Sequence, residues 1–262
     1  IDQREHGMMG GETVISVDIK SRNQQLGEDD IEHFTTKAKT VMSVVKKANF
    51  SKKSRFTGCG IGPQIVYYWD QKKNWFTFWP HSEKINNDLI KSAKIMTDLG
   101  KKEGWPEIYF YGITDEPGGH PETFPEVAYY NGLIKKAIPG AKWYVCIGGG
   151  LSLGIDEIGE LTPYVDYFMT NRFNKDIYEK LKKNNRIPYA VYNGATCCGK
   201  IEPVRDRHFF GFYGWKTKAD TIFQWVYRFG AIFNQKFKGD SDTGYVEIVD
   251  KKPLPSISYE SV

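Results

Sequence analysis

Short runs of β-branched and aromatic residues alternate with longer segments whose apolar positions step by three and four, and this alternation runs through most of the chain. Thr13–Ile19 (TVISVDI) reads as a first strand. Asp29 and Asp30 then open a helix with Ile31, Phe34, Ala38, Val41, Val45 and Ala48 on one face. Gln64–Trp69 (QIVYYW) predicts the next strand, followed by an aromatic-rich loop over Asp70–Pro80. Ser82 stands as the N-cap of a helix carrying Ile85, Leu89, Ala93, Met96 and Leu99, which Gly104 closes. Glu107–Ile113 (EIYFYGI) is a strand that runs into Asp115-Glu116-Pro117, and a helix over Pro125–Ala137 follows and ends before Pro139-Gly140. Trp143–Ile147, Val165–Met169 and Pro188–Tyr192 read as strands with helical segments between them. A helix near Arg207–Lys218 leads to a last strand, Thr221–Tyr227.

Strands that alternate with helices pair in parallel, and a parallel sheet is covered on both faces. Polar residues follow the strands all along the chain, which fits the C-terminal face of a barrel better than the single crevice of a doubly wound sheet. The expected fold is therefore α/β, one (β/α)8 TIM barrel domain over residues 1–262. Seven strands instead of eight imply an incomplete barrel, its first strand preceding Ile1 and its last helix following Val262. Asp18, Trp69, Asp115, Asn171, Asn193 and Trp225 are expected around one rim, because each ends or closes a strand.

Composition narrows the partners. Aromatic residues make up 15% of the chain, with 7 Trp, 16 Tyr and 16 Phe, enough to serve a core and a site that stacks on flat ligands such as sugar rings. The net charge of +4 comes from lysines scattered over helical segments, such as Lys46-Lys47 and Lys182-Lys183, with no coherent basic stripe. That speaks against nucleic acid as a partner. No run approaches the roughly 18 apolar residues of a membrane span. The 4 cysteines form no disulfide-dense framework, and adjacent Cys197-Cys198 lacks metal spacing. The 5 histidines do not cluster, so neither a metal nor another cofactor is implied. The compartment stays open: the sequon Asn49-Phe50-Ser51 is too short a signal to decide secretion.

Two glycine clusters carry no dinucleotide signature. Gly58-Cys59-Gly60-Ile61-Gly62-Pro63 lacks GxGxxG spacing and leads to a strand, and Gly148-Gly149-Gly150 has no acidic ribose binder at the expected distance. Both read as tight turns at the barrel mouth.

Asp115-Glu116 is the sharpest chemical feature. Adjacent carboxylates after an apolar strand are costly unless solvated, paired or used. A turn with an aspartate cap before Pro117 accounts for them equally well in isolation; their place at the end of a barrel strand favours chemistry. A retaining glycosidase with two protein carboxylates needs a nucleophile roughly 5–5.5 Å from its acid. The ends of the later strands carry Ile147-Gly148, Asn171-Arg172, Tyr192-Asn193 and the Gln224, Trp225, Tyr227 set, none of them acidic. Only Asp18 and Asp70, on earlier strands, remain. Adjacent carboxylates can instead assist a nucleophile that belongs to the substrate, the acetamido oxygen of a 2-acetamido sugar. Glu116 would protonate the leaving oxygen, and Asp115 would hold the acetamido N–H and stabilise the oxazolinium charge. Consecutive strand residues point to opposite faces, so this requires the chain to turn at the strand end, where Pro117 and Gly118-Gly119 supply a turn. Tyr192 and Asn193 offer donors for the acetamido carbonyl, although Asn193-Gly194 is equally an ordinary turn. Trp225 and Tyr227 share one face of the last strand and fit the floor of a sugar site or the core. Trp69 belongs to a loop region crowded with Trp75 and Trp79, and Arg172 completes the substrate-binding candidates.

The run GWPEIYFYGITDEPGG (Gly104–Gly119), the stretch Ile138–Lys142, Tyr192-Asn193, the segment Phe210–Gly230 and the opening Arg4–Met9 together resemble glycoside hydrolase family 123 and related barrel domains of unknown function. The resemblance implies a retaining β-N-acetylgalactosaminidase-like enzyme whose Asp-Glu pair falls on Asp115 and Glu116. It also implies an N-terminal β-sandwich domain and a first barrel strand ahead of this segment, and a glycan or glycoside substrate. An extracellular or periplasmic location is what a glycan hydrolase would favour, the compartment itself staying open. A carbohydrate-binding barrel without turnover and a conventional two-carboxylate glycosidase remain the rival expectations.

Overall fold

The computed structural model describes residues 10–12, 26–47, 55–59, 66–73, 75–105, 107–111, 113, 116–147, 155–170, 173–184, 188–192, 212–223, 246–249 and 252–255. Its first helix, α1 (Glu28–Lys47), begins with Glu28, Asp29 and Asp30 and ends with Lys46 and Lys47, charges that oppose the helix dipole at each end. Asp30 also accepts a hydrogen bond from the Gly27 backbone N–H at 3.0 Å, closing the first turn. The buried stripe is Phe34, Ala38, Met42 and Val45, with Ile31 and Val41 flanking it half-buried. The second helix, α2 (Glu83–Glu103), is capped as its sequence requires. Ser82 Oγ accepts from the Ile85 N–H at 3.2 Å, and Gly104 takes φ 65° to return its N–H to the last carbonyls. Ile85, Leu89, Ala93, Met96 and Leu99 are all buried.

The remaining helices are α3 (Phe124–Ala137), α4 (Ile155–Leu161), α5 (Lys175–Asn184) and the short α6 (Gly214–Thr217). The strands are β1 (Gly10–Glu12), β2 (Arg55–Cys59), β3 (Tyr67–Asp70), β4 (Trp75–Phe78), β5 (Glu107–Tyr111), β6 (Trp143–Cys146), β7 (Tyr167–Thr170), β8 (Tyr189–Tyr192), β9 (Thr221–Phe223), β10 (Val246–Val249) and β11 (Lys252–Pro255). Seven of them form one sheet in the order β1-β2-β5-β6-β7-β8-β9, and every neighbouring pair in it is parallel. The protein is therefore a mixed α/β structure on a parallel sheet. Its strand order follows the chain without reversal, so the described sheet has no switch point of the doubly wound kind.

Two strand assignments differ from the sequence reading. The run Gln64–Trp69 does not supply the second strand of the parallel sheet. Tyr67–Asp70 pairs antiparallel with Trp75–Phe78, a hairpin within the segment that links β2 to α2. The segment between Asp70 and Pro80, read as a loop, thus contains β4. The second parallel strand is β2, which begins before the glycine cluster and takes in Gly58 and Cys59. Its register with β5 shifts between Thr57 and Cys59, a bulge in which Gly58 is the extra residue. The expected strand Thr13–Ile19 lies outside the described residues, directly after β1. The β10–β11 hairpin near the C-terminus had no counterpart in the hydrophobic pattern.

Alternate residues of β5 to β8 feed two cores. Phe110, Trp143, Val145, Phe168, Tyr189 and Val191 pack against helices, and consecutive helices from α1 to α5 pack on one another. Opposite them, Tyr109, Tyr144, Cys146, Tyr167, Met169 and Ala190 form a second buried cluster with Tyr111 against it, and every described member is a strand residue.

Candidate functional site

β5 carries the chain to the candidate carboxylates. Tyr109 and Tyr111 lie with the strand-residue cluster and Phe110 with the helix-side core, the alternation of a strand. Ile113, three residues after Phe110, is also in the helix-side core, so the alternation ends with β5 at Tyr111. Asp115 lies outside the described residues. Glu116 is half-buried and adopts φ 41°, ψ 53°, the left-handed region. Residues before proline favour extended backbone, and a non-glycine residue in the left-handed region is uncommon, so Glu116 is disfavoured on both counts. Such strain amounts to roughly 1–3 kcal/mol and persists only where surrounding structure over-determines it.

That surrounding structure is visible. Pro117–Gly119 and Pro121–Thr123 form two tight 3-10 turns. The Gly119 N–H donates to the Glu116 carbonyl at 3.2 Å and the His120 N–H to the Pro117 carbonyl at 2.9 Å. Gly118, buried, donates its N–H to the Ile147 carbonyl at 2.9 Å, which fastens the turn to the C-terminal end of β6. Thr123 Oγ1 donates to the His120 carbonyl at 2.7 Å and leads into α3. The chain therefore does turn sharply at this strand end. His120 sits on the turn with Nδ1 3.0 Å from Glu122 Oε1, a titratable pair beside Glu116 in sequence that the motif analysis passed over.

The neighbouring strand end is held as firmly. Tyr189 OH lies 2.5 Å from Thr170 Oγ1 and accepts from the Asn174 N–H at 3.1 Å. Burial is the main cause that raises the Tyr189 pKa above the ordinary tyrosine value. Asn174 Oδ1 caps α5 through the N–H groups of Asp176 and Ile177, and Tyr213 OH accepts from the Phe173 N–H at 2.8 Å. The loop carrying Asn171 and Arg172 is anchored on its far side by these bonds; those two residues are themselves outside the described set.

Of the other candidates, Tyr192 is the last residue of β8, in register with Phe223 of β9. Asn193, Trp225, Tyr227 and Asp18 lie outside the described residues. Trp69 pairs with Phe76 in the β3–β4 hairpin and so does not close a strand of the parallel sheet. Asp70 is committed to that hairpin: Oδ1 accepts from the Lys72 and Lys73 N–H groups at 2.9 and 3.4 Å, and Oδ2 from Thr77 Oγ1 at 3.3 Å.

A cavity of about 240 Å³ opens at the other end of the sheet, lined by Trp105, Glu107, Lys101 and Lys142 among others. It lies at the N-terminal ends of β5 and β6, away from Glu116, whereas ligands of parallel α/β sheets bind outside the C-terminal strand ends. Position relative to the strand ends, and not cavity size, decides in favour of the Glu116 turn.

No protein-family model matches this sequence, and no curated protein matches it. Among the described residues, no helix is long and apolar enough to cross a membrane.

Proposed function

We propose that this chain is the (β/α) barrel of a glycoside hydrolase that removes a terminal β-linked N-acetylhexosamine, with N-acetylgalactosamine the favoured sugar, by a retaining, substrate-assisted mechanism. The barrel reading is supported by a parallel strand order that never reverses and by helices packed in sequence on one face. The opposite face is buried, and among the described residues its cluster consists of strand residues alone. A sheet that curls back on itself buries such a face, and barrel interiors are filled in this way.

The observation that carries the function is the left-handed Glu116 at the C-terminal end of β5, clamped to β6 through Gly118. Glu116 is the general acid for the leaving oxygen, and Asp115 orients the acetamido group and supports the charge on the cyclised intermediate. The carbonyl oxygen of the substrate attacks the anomeric carbon as the glycosidic bond breaks and the proton passes from Glu116 to the departing oxygen. Water, deprotonated by Glu116, then opens the oxazolinium ring and restores the acetamide. Tyr192, Asn193 and Arg172 are the polar substrate contacts, with Trp225 and Tyr227 beneath the sugar. Trp69, on the β3–β4 hairpin, is a further substrate contact in this proposal. The hydrogen bonds that hold Asp70 in its own turn count against it as an alternative protein nucleophile.

The test is a panel of chromogenic 2-acetamido and 2-hydroxy hexosides with wild type and Glu116→Gln. Hydrolysis confined to the 2-acetamido sugars, and lowered in the variant most for the poorest leaving groups, is expected. Saccharide binding without any turnover would replace this reading with a non-catalytic carbohydrate-binding barrel.

A further inference from the structure

Four tyrosines line the inner face of β5, β6 and β7. Three of them are closed off: Tyr109, Tyr144 and Tyr167 are 4%, 0% and 3% exposed. Tyr111, the last residue of β5, is different, because it packs against the same cluster yet keeps part of its surface open. Its backbone is in register with Tyr144, and the two rings lie 4.8 Å apart at 44°. Past Tyr111 the chain leaves the strand, and Ile113 is buried in the helix-side core with Phe110 before the Glu116 turn. An aromatic ring is thus presented at the inner, C-terminal end of the strand that carries the acid, braced from below by a fully buried ring.

We propose that Tyr111 is a substrate-contacting residue that forms the aromatic wall of the sugar site, its ring against the apolar C–H face of the pyranose. This rests on the hydrolase reading above and adds the residue that selects for a flat sugar ring. A ring held by Tyr144 loses little freedom on binding, so the contact comes at low entropic cost. The π-face also favours the positive charge that develops at the anomeric centre.

The experiment uses the full chain with Tyr111→Phe and Tyr111→Leu, each checked for thermal unfolding against wild type. Steady-state kinetics are followed on an aryl 2-acetamido-β-hexoside. Tyr111→Phe keeps the ring and is expected within about threefold of wild type, whereas Tyr111→Leu raises KM about tenfold, the size of one lost aromatic contact. A folded Tyr111→Leu with unchanged KM overturns the proposal and leaves Tyr111 a packing residue. If Tyr111→Leu does not fold, fluorine NMR of fluorotyrosine-labelled wild type decides, with the Tyr111 signal identified by its absence in Tyr111→Phe. Added N-acetylgalactosamine should shift that signal, and an unmoved signal at a concentration of this sugar that fully inhibits hydrolysis overturns the proposal. A shifted signal in a protein without turnover upholds the Tyr111 contact and sinks the hydrolase reading alone.

Discussion

The two ends of the parallel sheet use carboxylates in opposite ways. At the N-terminal end one device occurs twice. Asp166, just before β7, donates its N–H to the Trp143 carbonyl at 2.7 Å and accepts from the Trp143 N–H through Oδ2 at 2.9 Å. Asp220, just before β9, does the same with Tyr189, at 2.9 and 2.7 Å. Each carboxylate is also met by a helix lysine, Lys135 at 2.8 Å and Lys182 at 2.6 Å, and Glu107 is paired with Lys142. These acids complete the ladder where it would otherwise fray. At the C-terminal end the backbone at Glu116 is bent into a disfavoured conformation and clamped to keep it so. A carboxylate that stabilises is given donors in relaxed backbone, and one held against its backbone preference is the better candidate for chemistry.

The largest effect expected from this contrast is catalytic. Glu116→Gln should lower turnover on poor leaving groups on the order of 10²–10⁴-fold, with a much smaller loss on activated aryl glycosides that need little protonation. Equal losses on both substrate types, measured side by side, would show that Glu116 is not the acid. Asp115→Ala should weaken catalysis and the binding of a thiazoline that mimics the cyclised intermediate, as expected of a site complementary to that charge.

Next comes stability at the opposite end. Asp220→Ala leaves the Tyr189 N–H without its acceptor and should destabilise the fold by about 1–3 kcal/mol, most of it from that bond. The Lys182 pair adds little because both side chains are about one-third exposed. Denaturant midpoints should fall while KM at permissive temperature is unchanged; a kinetic defect in the folded variant would break the division between the two ends.

Smaller still is the relief of strain. Glu116→Gly accepts the left-handed backbone freely and should raise stability by up to about 1 kcal/mol while abolishing activity. A loss of stability would mean that the side chain of Glu116 holds the turn, and the contrast drawn here would fail.

Two tyrosines predict the behaviour in base. Tyr130 is raised well above the ordinary tyrosine pKa, first by burial and then by the nearby Glu126 and Tyr129, and its hydroxyl is buried without a hydrogen-bond partner. Tyr189 is raised for the same leading reason. The unfolded chain loses these protons near pH 10 while the folded chain retains them, so stability is full below that pH and falls as pH rises above it. Tyr130→Phe should flatten this alkaline fall at little cost near neutrality, whereas Tyr189→Phe flattens it but also loses the bonds to Thr170 and Asn174. An alkaline slope identical to wild type in both variants would contradict the assignment.

Helices were legible in the sequence because their signals are local. Ser82, Gly104 and the steps from Ile85 to Leu99 each report a cap or a face without help from distant residues. The central strands β5 to β8 were legible for a similar reason, being continuous apolar runs bounded by turns. β2 was not, since Arg55–Cys59 (RFTGC) carries one large apolar residue and a glycine at its bulge, and reads as the start of a turn. Tyr67–Trp69 failed in the other direction: aromatic content gives strand propensity, but nothing in it says whether the partner is the main sheet or Trp75–Phe78. At the site, the carboxylate pair and the turn after it could be read from Asp115 to Gly119. Tyr111 could have been found from its period-two spacing with Tyr109 ahead of that pair, but its partial opening depends on Tyr144, a contact between strands.

Substrate assistance is the central claim, and one rate ratio tests it most directly. Matched aryl β-glycosides of N-acetylgalactosamine and of galactose, with the same leaving group, are compared at saturation with the full chain. The account predicts rapid cleavage of the 2-acetamido sugar and an essentially inert 2-hydroxy counterpart, because the acetamido oxygen is the nucleophile. Efficient cleavage of the galactoside, or covalent trapping of a 2-fluoro sugar on Asp18 or Asp70, would contradict it and assign the nucleophile to the protein.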